Sequence, residues 1–175
     1  TEGLHSAPWT DPRPGAHVAR AAKYYLHVQV EAAHGCPVTM TFAAAPTLKL
    51  TPAIAQQWLP KTLARAYDPR NVPSEQKPAL VIGMGMTEKQ GGSDLRASST
   101  RAEASGDGSY RLVGHKWFVS SPMSDALLVL AQTLEGLSLF LVPRFLADGK
   151  RNPIRLIRLK DKLGTRSNAV AEIDF

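Results

Sequence analysis

The chain has 175 residues, of which 43% are hydrophobic and 21% charged, and its formal net charge is +6. This length suits one compact core or two small subdomains, and the composition is typical of a globular protein. No run approaches the roughly 20 apolar residues that span a bilayer, and the first residues show no secretory signal. Because Cys36 is the only cysteine, it cannot form an internal disulfide, and we expect a reducing, cytoplasmic setting.

The first part of the chain, up to residue 78, has helical periodicity. Apolar residues at three- and four-residue steps, with prolines and glycines between the runs, predict three helices, over 16–34, 37–45 and 52–67. We expect Pro46 to close the second helix and Pro60 to bend or divide the third. The proline-rich stretch 68–78 is typical of a linker.

The remainder, residues 79–175, changes to short strands and turns. Strands are predicted over 79–86, 100–104, 110–113, 116–119, 126–132, 137–142, 154–160 and 169–175. The Asp107-Gly108 pair predicts a hairpin between the second and third of them. This spacing favours a small antiparallel barrel or sandwich, so the chain is predicted to be α+β, with helices over 1–78 and a β-domain over 79–175. Because the last predicted strand runs to Phe175, we expect a fragment of a longer protein.

Positive charge is concentrated between Arg144 and Arg166, where eight Lys or Arg residues accompany only Asp148 and Asp161. This basic stripe could contact the phosphates of DNA, of a dinucleotide or of coenzyme A. It could equally be the solvated face of a strand, which is the commoner role of such a run.

The segment from Gly83 to Asp94, with the sequence GMGMTEKQGGSD, is the most informative of the chain. A dinucleotide-binding fingerprint is excluded because Glu88 stands where the third glycine is needed, and a P-loop lacks its Gly-Lys-Ser/Thr. What is left is a strand end followed by a loop. There Gly91 and Gly92 let the main chain approach an anion, and Ser93 can donate to phosphate. An ordinary turn explains the same residues.

Three motifs in order resemble those of acyl-CoA dehydrogenases. Met86-Thr87-Glu88 followed by Gly92-Ser93-Asp94 resembles the T-E-x-x-x-G-S-D signature that opens the β-domain of that family. Residues 110–120, YRLVGHKWFVS, resemble its Y-x-(I/L)-x-G-x-K hairpin. Residues 162–167, KLGTRS, resemble its K-x-G-x-R-x-S segment, although here the serine directly follows the arginine. The W-L-P at 58–60 resembles the end of the N-terminal helical domain.

Smaller features resemble one branch of the family, the AidB-type proteins of the adaptive response to DNA alkylation. Lys89 and Gln90 replace the proline that most relatives carry after the glutamate. Phe118 and Ser120 replace the more usual Trp and Thr. The resemblance implies an FAD-dependent parent that dehydrogenates acyl-CoA, forms a homotetramer and contacts double-stranded DNA through its C-terminal region.

The resemblance also implies a set of FAD-binding residues, namely Met84, Met86, Thr87, Gly92, Ser93, Phe118, Val119 and Ser120. The main chain around Met86 and the Thr87 hydroxyl would bond the pyrimidine edge of the flavin, where negative charge accumulates on reduction. Phe118 would lie against the isoalloxazine ring, Ser120 would donate near N5, and Ser93 would contact the pyrophosphate. Outside the motif, Phe118 would be a plain core aromatic and Ser120 a strand-end hydroxyl.

No catalytic residue is expected in this chain. The glutamate that removes the α-proton in this family belongs to a C-terminal helical domain beyond Phe175, and Glu88 lies inside the flavin motif. We therefore expect a segment that is inactive alone and holds FAD weakly or not at all. The alternative function is a DNA-binding or protective module that uses the basic stripe.

A metal site is not predicted. The E-x-x-H of Glu31 and His34, with His27 one turn earlier, is of the kind that binds iron in carboxylate bundles, but those bundles need a second copy. A polar helix face is the expected role of these residues.

Overall fold

A computed structural model describes residues 2–175. These form two compact units: the first runs up to Ile82 and includes Leu163–Asn168, and the second consists of Gly83–Lys162 and Ala169–Phe175. Within the described residues, no helix has both the length and the apolar character needed to cross a membrane.

The first unit is helical, with α1 (Ala7–Thr10), α2 (Ala16–Val28), α3 (Gly35–Leu48) and α4 (Pro52–Thr62), followed by the short 3-10 helix Ser74–Gln76. The predicted first helix ends early, because the Glu31 carboxylate accepts hydrogen bonds from the main-chain N–H groups of Ala33 and His34 and caps the next turn instead. The short helix α1 was not predicted.

Pro46 does not end the second helix, as the sequence had suggested, but lies inside α3. A proline at this position cannot donate to the carbonyl of Phe42, four residues earlier. The indole N–H of Trp9 donates to that carbonyl instead, at 3.0 Å. A partner distant in sequence therefore satisfies the group that the proline leaves unpaired. Pro60 is likewise inside a helix, two residues before Thr62, the last residue of α4.

The sheet of eight strands contains β1 (Ile82–Thr87), β2 (Arg101–Ala104), β3 (Tyr110–Val113), β4 (His115–Ser120), β5 (Ala126–Thr133), β6 (Gly136–Pro143), β7 (Arg155–Leu159) and β8 (Val170–Asp174). Their order is β3-β2-β5-β1-β4-β8-β7, with β6 pairing to β5. The prediction of an α+β chain is confirmed. The sheet is mixed rather than wholly antiparallel, because β2 pairs with β5 in parallel through Arg101 and Gln132.

The core of the second unit is built from alternate residues of neighbouring strands, which is the expected pattern for a sheet with one buried face. The buried cluster consists of Val119, Leu127, Val129, Val142, Ala171 and Ile173. All five residues of β7, by contrast, are exposed at the edge of the sheet. The two central strands β1 and β4 carry the residues that the sequence singled out.

Candidate functional site

Strands β1 and β4 pair antiparallel and bring the two predicted motifs side by side. Met84 lies opposite Ser120, and Thr87 lies opposite Phe118. The register shifts between Gly85 and Thr87, and such a bulge changes the direction in which the following side chain points. Because directly opposed residues share a face of the sheet, Met84 and Ser120 lie on one face, and Phe118, two residues from Ser120, lies there too. Because of the bulge, Thr87 is the residue that pairs with Phe118, and it therefore lies on this face as well.

This outward face of β1 and β4 is accessible to solvent. Phe118 is 43% exposed, whereas Val119 between it and Ser120 is fully buried in the core. No hydrogen bond joins the hydroxyl of Thr87 or Ser120 to any other group in the part of the chain that the structure describes. The face thus offers an open aromatic ring between two half-buried hydroxyls that are free to donate. A flat heteroaromatic group with polar edges fits such a surface.

Close approach of the two strands depends on Gly83. A Cβ atom at this position would lie 2.7 Å from the carbonyl oxygen of Ser120 and 2.8 Å from that of Ser121. Any side chain would therefore push β1 away from β4 and separate the two halves of the face.

The loop after β1 folds back towards Thr87. The N–H of Gly91 donates to the carbonyl of Glu88, and Gly91 has φ of +111°, which favours glycine. A Cβ atom on Gly92 would lie 3.0 Å from the Thr87 hydroxyl oxygen. Ser93, the next residue along the loop, is exposed.

Among the predicted site residues, Met84, Thr87, Phe118 and Ser120 therefore share one face, and Gly92 lies next to Thr87. Met86 is half-buried at the bulge. The side chain of Val119 points into the core, so only its main chain is available to a ligand on this face.

A buried ion pair behind the face was not predicted from the sequence. The Lys116 ammonium donates to Glu88 Oε1 at 2.7 Å, and both side chains are almost completely buried. The same carboxylate accepts hydrogen bonds from the main-chain N–H and the hydroxyl of both Ser99 and Thr100, at 2.6 to 3.0 Å. Glu88 thus joins the end of β1 to β4 and to the residues just before β2.

The environment of Glu88 fixes its charge. Burial favours the neutral form, but hydrogen bonds from Lys116, Thr100 and Ser99 outweigh it and hold the pKa of Glu88 at about 2. Burial lowers the pKa of Lys116, and the Glu88 carboxylate opposes that effect. A carboxylate that is ionised, buried and saturated with donors cannot accept a substrate proton at neutral pH, so Glu88 is not a candidate base.

An apolar cavity of about 460 Å³ lies within the first unit. Leu4, Val38 and Leu80 are among the apolar residues that line it, together with the imidazoles of His27 and His34. The two imidazole rings are in edge contact, with centroids 4.3 Å apart. Cavities of this size and character are typical of sites for small apolar ligands.

The E-x-x-H residues are held by hydrogen bonds rather than arranged around an ion. Glu31 accepts hydrogen bonds from the Ser167 hydroxyl and from the His34 ring, each at 2.8 Å. No cluster of three or more metal-ligating side chains is found within residues 2–175.

The two halves of the chain match two known domains. Residues 83–175 match the acyl-CoA dehydrogenase middle domain, and residues 1–69 match the N-terminal domain of the adaptive response protein AidB. The chain therefore belongs to the acyl-CoA dehydrogenase family. Within the family it is of the AidB type, as the Lys89-Gln90 and Phe118-Val119-Ser120 sequences had indicated.

Relatives and solved structures agree with this assignment. The chain is 61% identical to AidB of Escherichia coli strain K12 over its whole length, and 34% identical to acyl-CoA dehydrogenase family member 11 of Caenorhabditis elegans over 89% of it. The crystal structure of Caenorhabditis elegans ACDH-11 in complex with C11-CoA aligns with 99% of the chain, at 30% identity and a TM-score of 0.83. The chain spans 33% of the length of the bacterial relative and 26% of that of the nematode one.

Proposed function

We propose that the second unit is the flavin-contacting part of an FAD-dependent oxidoreductase of the AidB type, and that the whole protein acts on acyl-CoA. The observation that carries the proposal is the register of β1 and β4, which places Thr87 opposite Phe118 and Met84 opposite Ser120 on an open face. Family membership supports FAD as the group that this face receives.

Each residue of the face has a role that its chemistry supports. The Phe118 ring would cover the isoalloxazine and exclude water from it. The hydroxyls of Thr87 and Ser120 would donate to the flavin edge and to the region of N5, where electron density increases on reduction. Ser93, beside the Gly91-Gly92 pair, would contact the pyrophosphate. When bound, FAD would supply the hydride acceptor, and these residues would hold and orient it.

The apolar cavity of the first unit is the candidate site for the acyl chain in the whole protein. Its volume of about 460 Å³ lies within the range of about 300–1,000 Å³ that is typical of sites for small ligands. The known complex of ACDH-11 with C11-CoA supports acyl-CoA as the substrate class. Substitution of Val38, which lines the cavity, by Trp should then weaken the binding of long acyl chains more than that of short ones.

The base that removes the substrate α-proton is proposed to lie outside this chain. Within the described residues, β1 and β4 carry no carboxylate on their outward face. The Glu88 carboxylate, at the end of β1, is bound in its ion pair with Lys116. The sequence leaves open whether the chain alone holds FAD weakly or not at all, and the accessible face of β1 and β4 favours weak binding. We therefore expect the chain alone to contact flavin without oxidising acyl-CoA.

The test is a titration of the chain with FAD, followed by quenching of flavin fluorescence, and an assay of acyl-CoA oxidation. Weak, saturable quenching without oxidation is the expected result. Absence of quenching at FAD concentrations up to the solubility limit would contradict the flavin role, and acyl-CoA oxidation by this chain would contradict the location of the base.

A DNA-binding module is the second candidate, but the structure gives the basic stripe other partners. Arg155 pairs with Asp174, and both Arg158 and Lys160 pair with Glu172. Phosphates would have to displace these carboxylates. The pairing favours the interpretation of the stripe as the solvated face of a strand.

A further inference from the structure

Three cationic side chains surround the indole ring of Trp117, which directly precedes Phe118. The Lys160 ammonium lies 3.0 Å from the ring centroid, the Lys89 ammonium 5.3 Å, and the Arg158 guanidinium carbon 5.5 Å. Cations at such distances from an indole face are held by its quadrupole. Lys89 belongs to the loop after β1, Arg158 lies on β7, and Lys160 directly follows β7. Cations from two separate segments of the chain therefore surround the ring.

Lys160 also contacts the candidate flavin face. Its ammonium lies 4.9 Å from the centroid of the Phe118 ring, and its side chain is only 8% exposed. A charge that is shielded from water acts over a longer distance than one in bulk solvent. A ligand stacked on Phe118 would therefore be within the field of this ammonium.

A single carboxylate, that of Glu172, holds two of the three cations in place. Glu172 is buried, and its Oε1 accepts hydrogen bonds of 2.6 Å from both Lys160 and Arg158. One carboxylate thus binds two of the three cations that surround Trp117, and the third, Lys89, comes from the loop after β1. This carboxylate fixes the position of Lys160 against the two rings.

We propose that Lys160, held by Glu172 against Trp117 and Phe118, makes the site favour reduced, anionic flavin over oxidised flavin. The inference rests on the proposed function, because it needs the isoalloxazine to lie against Phe118. Two-electron reduction adds negative charge to the ring system, and a fixed cation close to the site stabilises that charge more than it stabilises the neutral oxidised form. Lys160 would then be a positioning residue that sets the redox preference of the site without touching the reacting atoms.

The experiment compares the dissociation constants of oxidised FAD and of FAD reduced anaerobically with dithionite, for the unmodified chain and for variants. The unmodified chain should bind the reduced form more tightly. The substitution Lys160→Met should lower this preference by about fivefold or more, because one charge is lost close to the ring. Lys160→Arg keeps the charge and should keep the preference within about twofold.

Two further variants make the comparison specific. Lys150→Met removes an exposed lysine that pairs with Asp148, so the net charge falls equally but the redox preference should not change. Lys89→Met removes an exposed cation of the Trp117 cluster and should lower the preference in the same direction as Lys160→Met, by a smaller factor. Because Lys89 is exposed, this variant tests the cluster even if Lys160→Met fails to fold.

The outcomes separate the inference from the function on which it rests. An unchanged preference in Lys160→Met and in Lys89→Met, or an equal fall in Lys150→Met, would overturn the inference and leave the flavin site intact. If the unmodified chain binds neither redox form, the proposed function and the inference both fail.

Discussion

Glu88 and Lys116 form an ion pair of 2.7 Å inside the second unit, directly behind the residues proposed to contact flavin. Glu88 follows Thr87 in the chain, and Lys116 precedes Phe118 by two residues. The regular register of β1 and β4 is interrupted at Gly85–Thr87, just beside this pair. The ion pair therefore links the two strands at the position where their main-chain ladder is irregular.

Removal of one member of the pair should be more harmful than removal of both. We expect Lys116→Met to lower the free energy of unfolding by about 3–5 kcal/mol, since it leaves a buried carboxylate without its cation. The double variant Glu88→Gln, Lys116→Met should lose clearly less, because no charge stays buried. Urea denaturation measures both. Equal losses in the single and double variants would show that the two charges are not coupled.

The pair also predicts a dependence of stability on pH. The pKa of Glu88 in the folded chain is about 2, below its ordinary value of 4.5, so the folded state resists protonation. Its contribution is complete above pH 4.5 and is lost as the pH falls towards 2, with a total on the order of 3 kcal/mol.

Other acids titrate in the same range, because hydrogen bonds hold the pKa values of Glu31 and Asp68 at about 2 as well. The comparison with Glu88→Gln isolates the contribution of Glu88. Unfolding free energies of the two proteins should converge as the pH falls from 4.5 to 2. Parallel curves over this range would contradict the assigned pKa.

Phe118→Ala tests the proposed contact with the flavin ring. Loss of one stacking partner should weaken FAD binding by about tenfold, as stacking on an aromatic side chain contributes about 1–3 kcal/mol. Phe145→Ala is the matched control, because this ring contacts Arg151 rather than the outward face of β1 and β4. Fluorescence titration gives both dissociation constants, and an equal effect of the two substitutions would argue against a specific contact.

The basic stripe gives an independent test of the DNA alternative. Because Arg155 and Arg158 are already paired with carboxylates, we expect the chain to give no salt-dependent mobility shift with duplex DNA. A shift that weakens steeply with salt and disappears in the Arg155→Glu, Arg158→Glu variant would favour the alternative instead.

The strands and the motif order could be predicted from the sequence because the information is local. Turn residues such as Asp107-Gly108 mark the hairpin, and all eight predicted strands occur, with ends that differ by at most three residues from those predicted. The pairing of Thr87 with Phe118 needed the family resemblance, because no local pattern fixes which strands become neighbours.

Interactions between distant residues could not be predicted in this way. The Trp9 side chain that satisfies the Phe42 carbonyl, and so admits Pro46 into α3, lies 33 residues away from it. In the sequence, Lys116 is one residue of the hairpin motif at 110–120, and only the structure shows that it is fully buried against Glu88. The cluster around Trp117 combines residues from separate strands and a loop, so their spacing in the sequence carries no signal.

The flavin site itself can be observed most directly through the methionines. The chain has four of them, and two, Met84 and Met86, lie at the proposed site, whereas Met40 is buried in α3 and Met123 is exposed after β4. With methyl-labelled methionine, addition of FAD should shift the NMR signals of Met84 and Met86 and leave those of Met40 and Met123 in place. Shifts confined to Met40 or Met123, or no shift of Met84 and Met86 at saturating FAD, would contradict the assignment of the flavin to the face formed by β1 and β4.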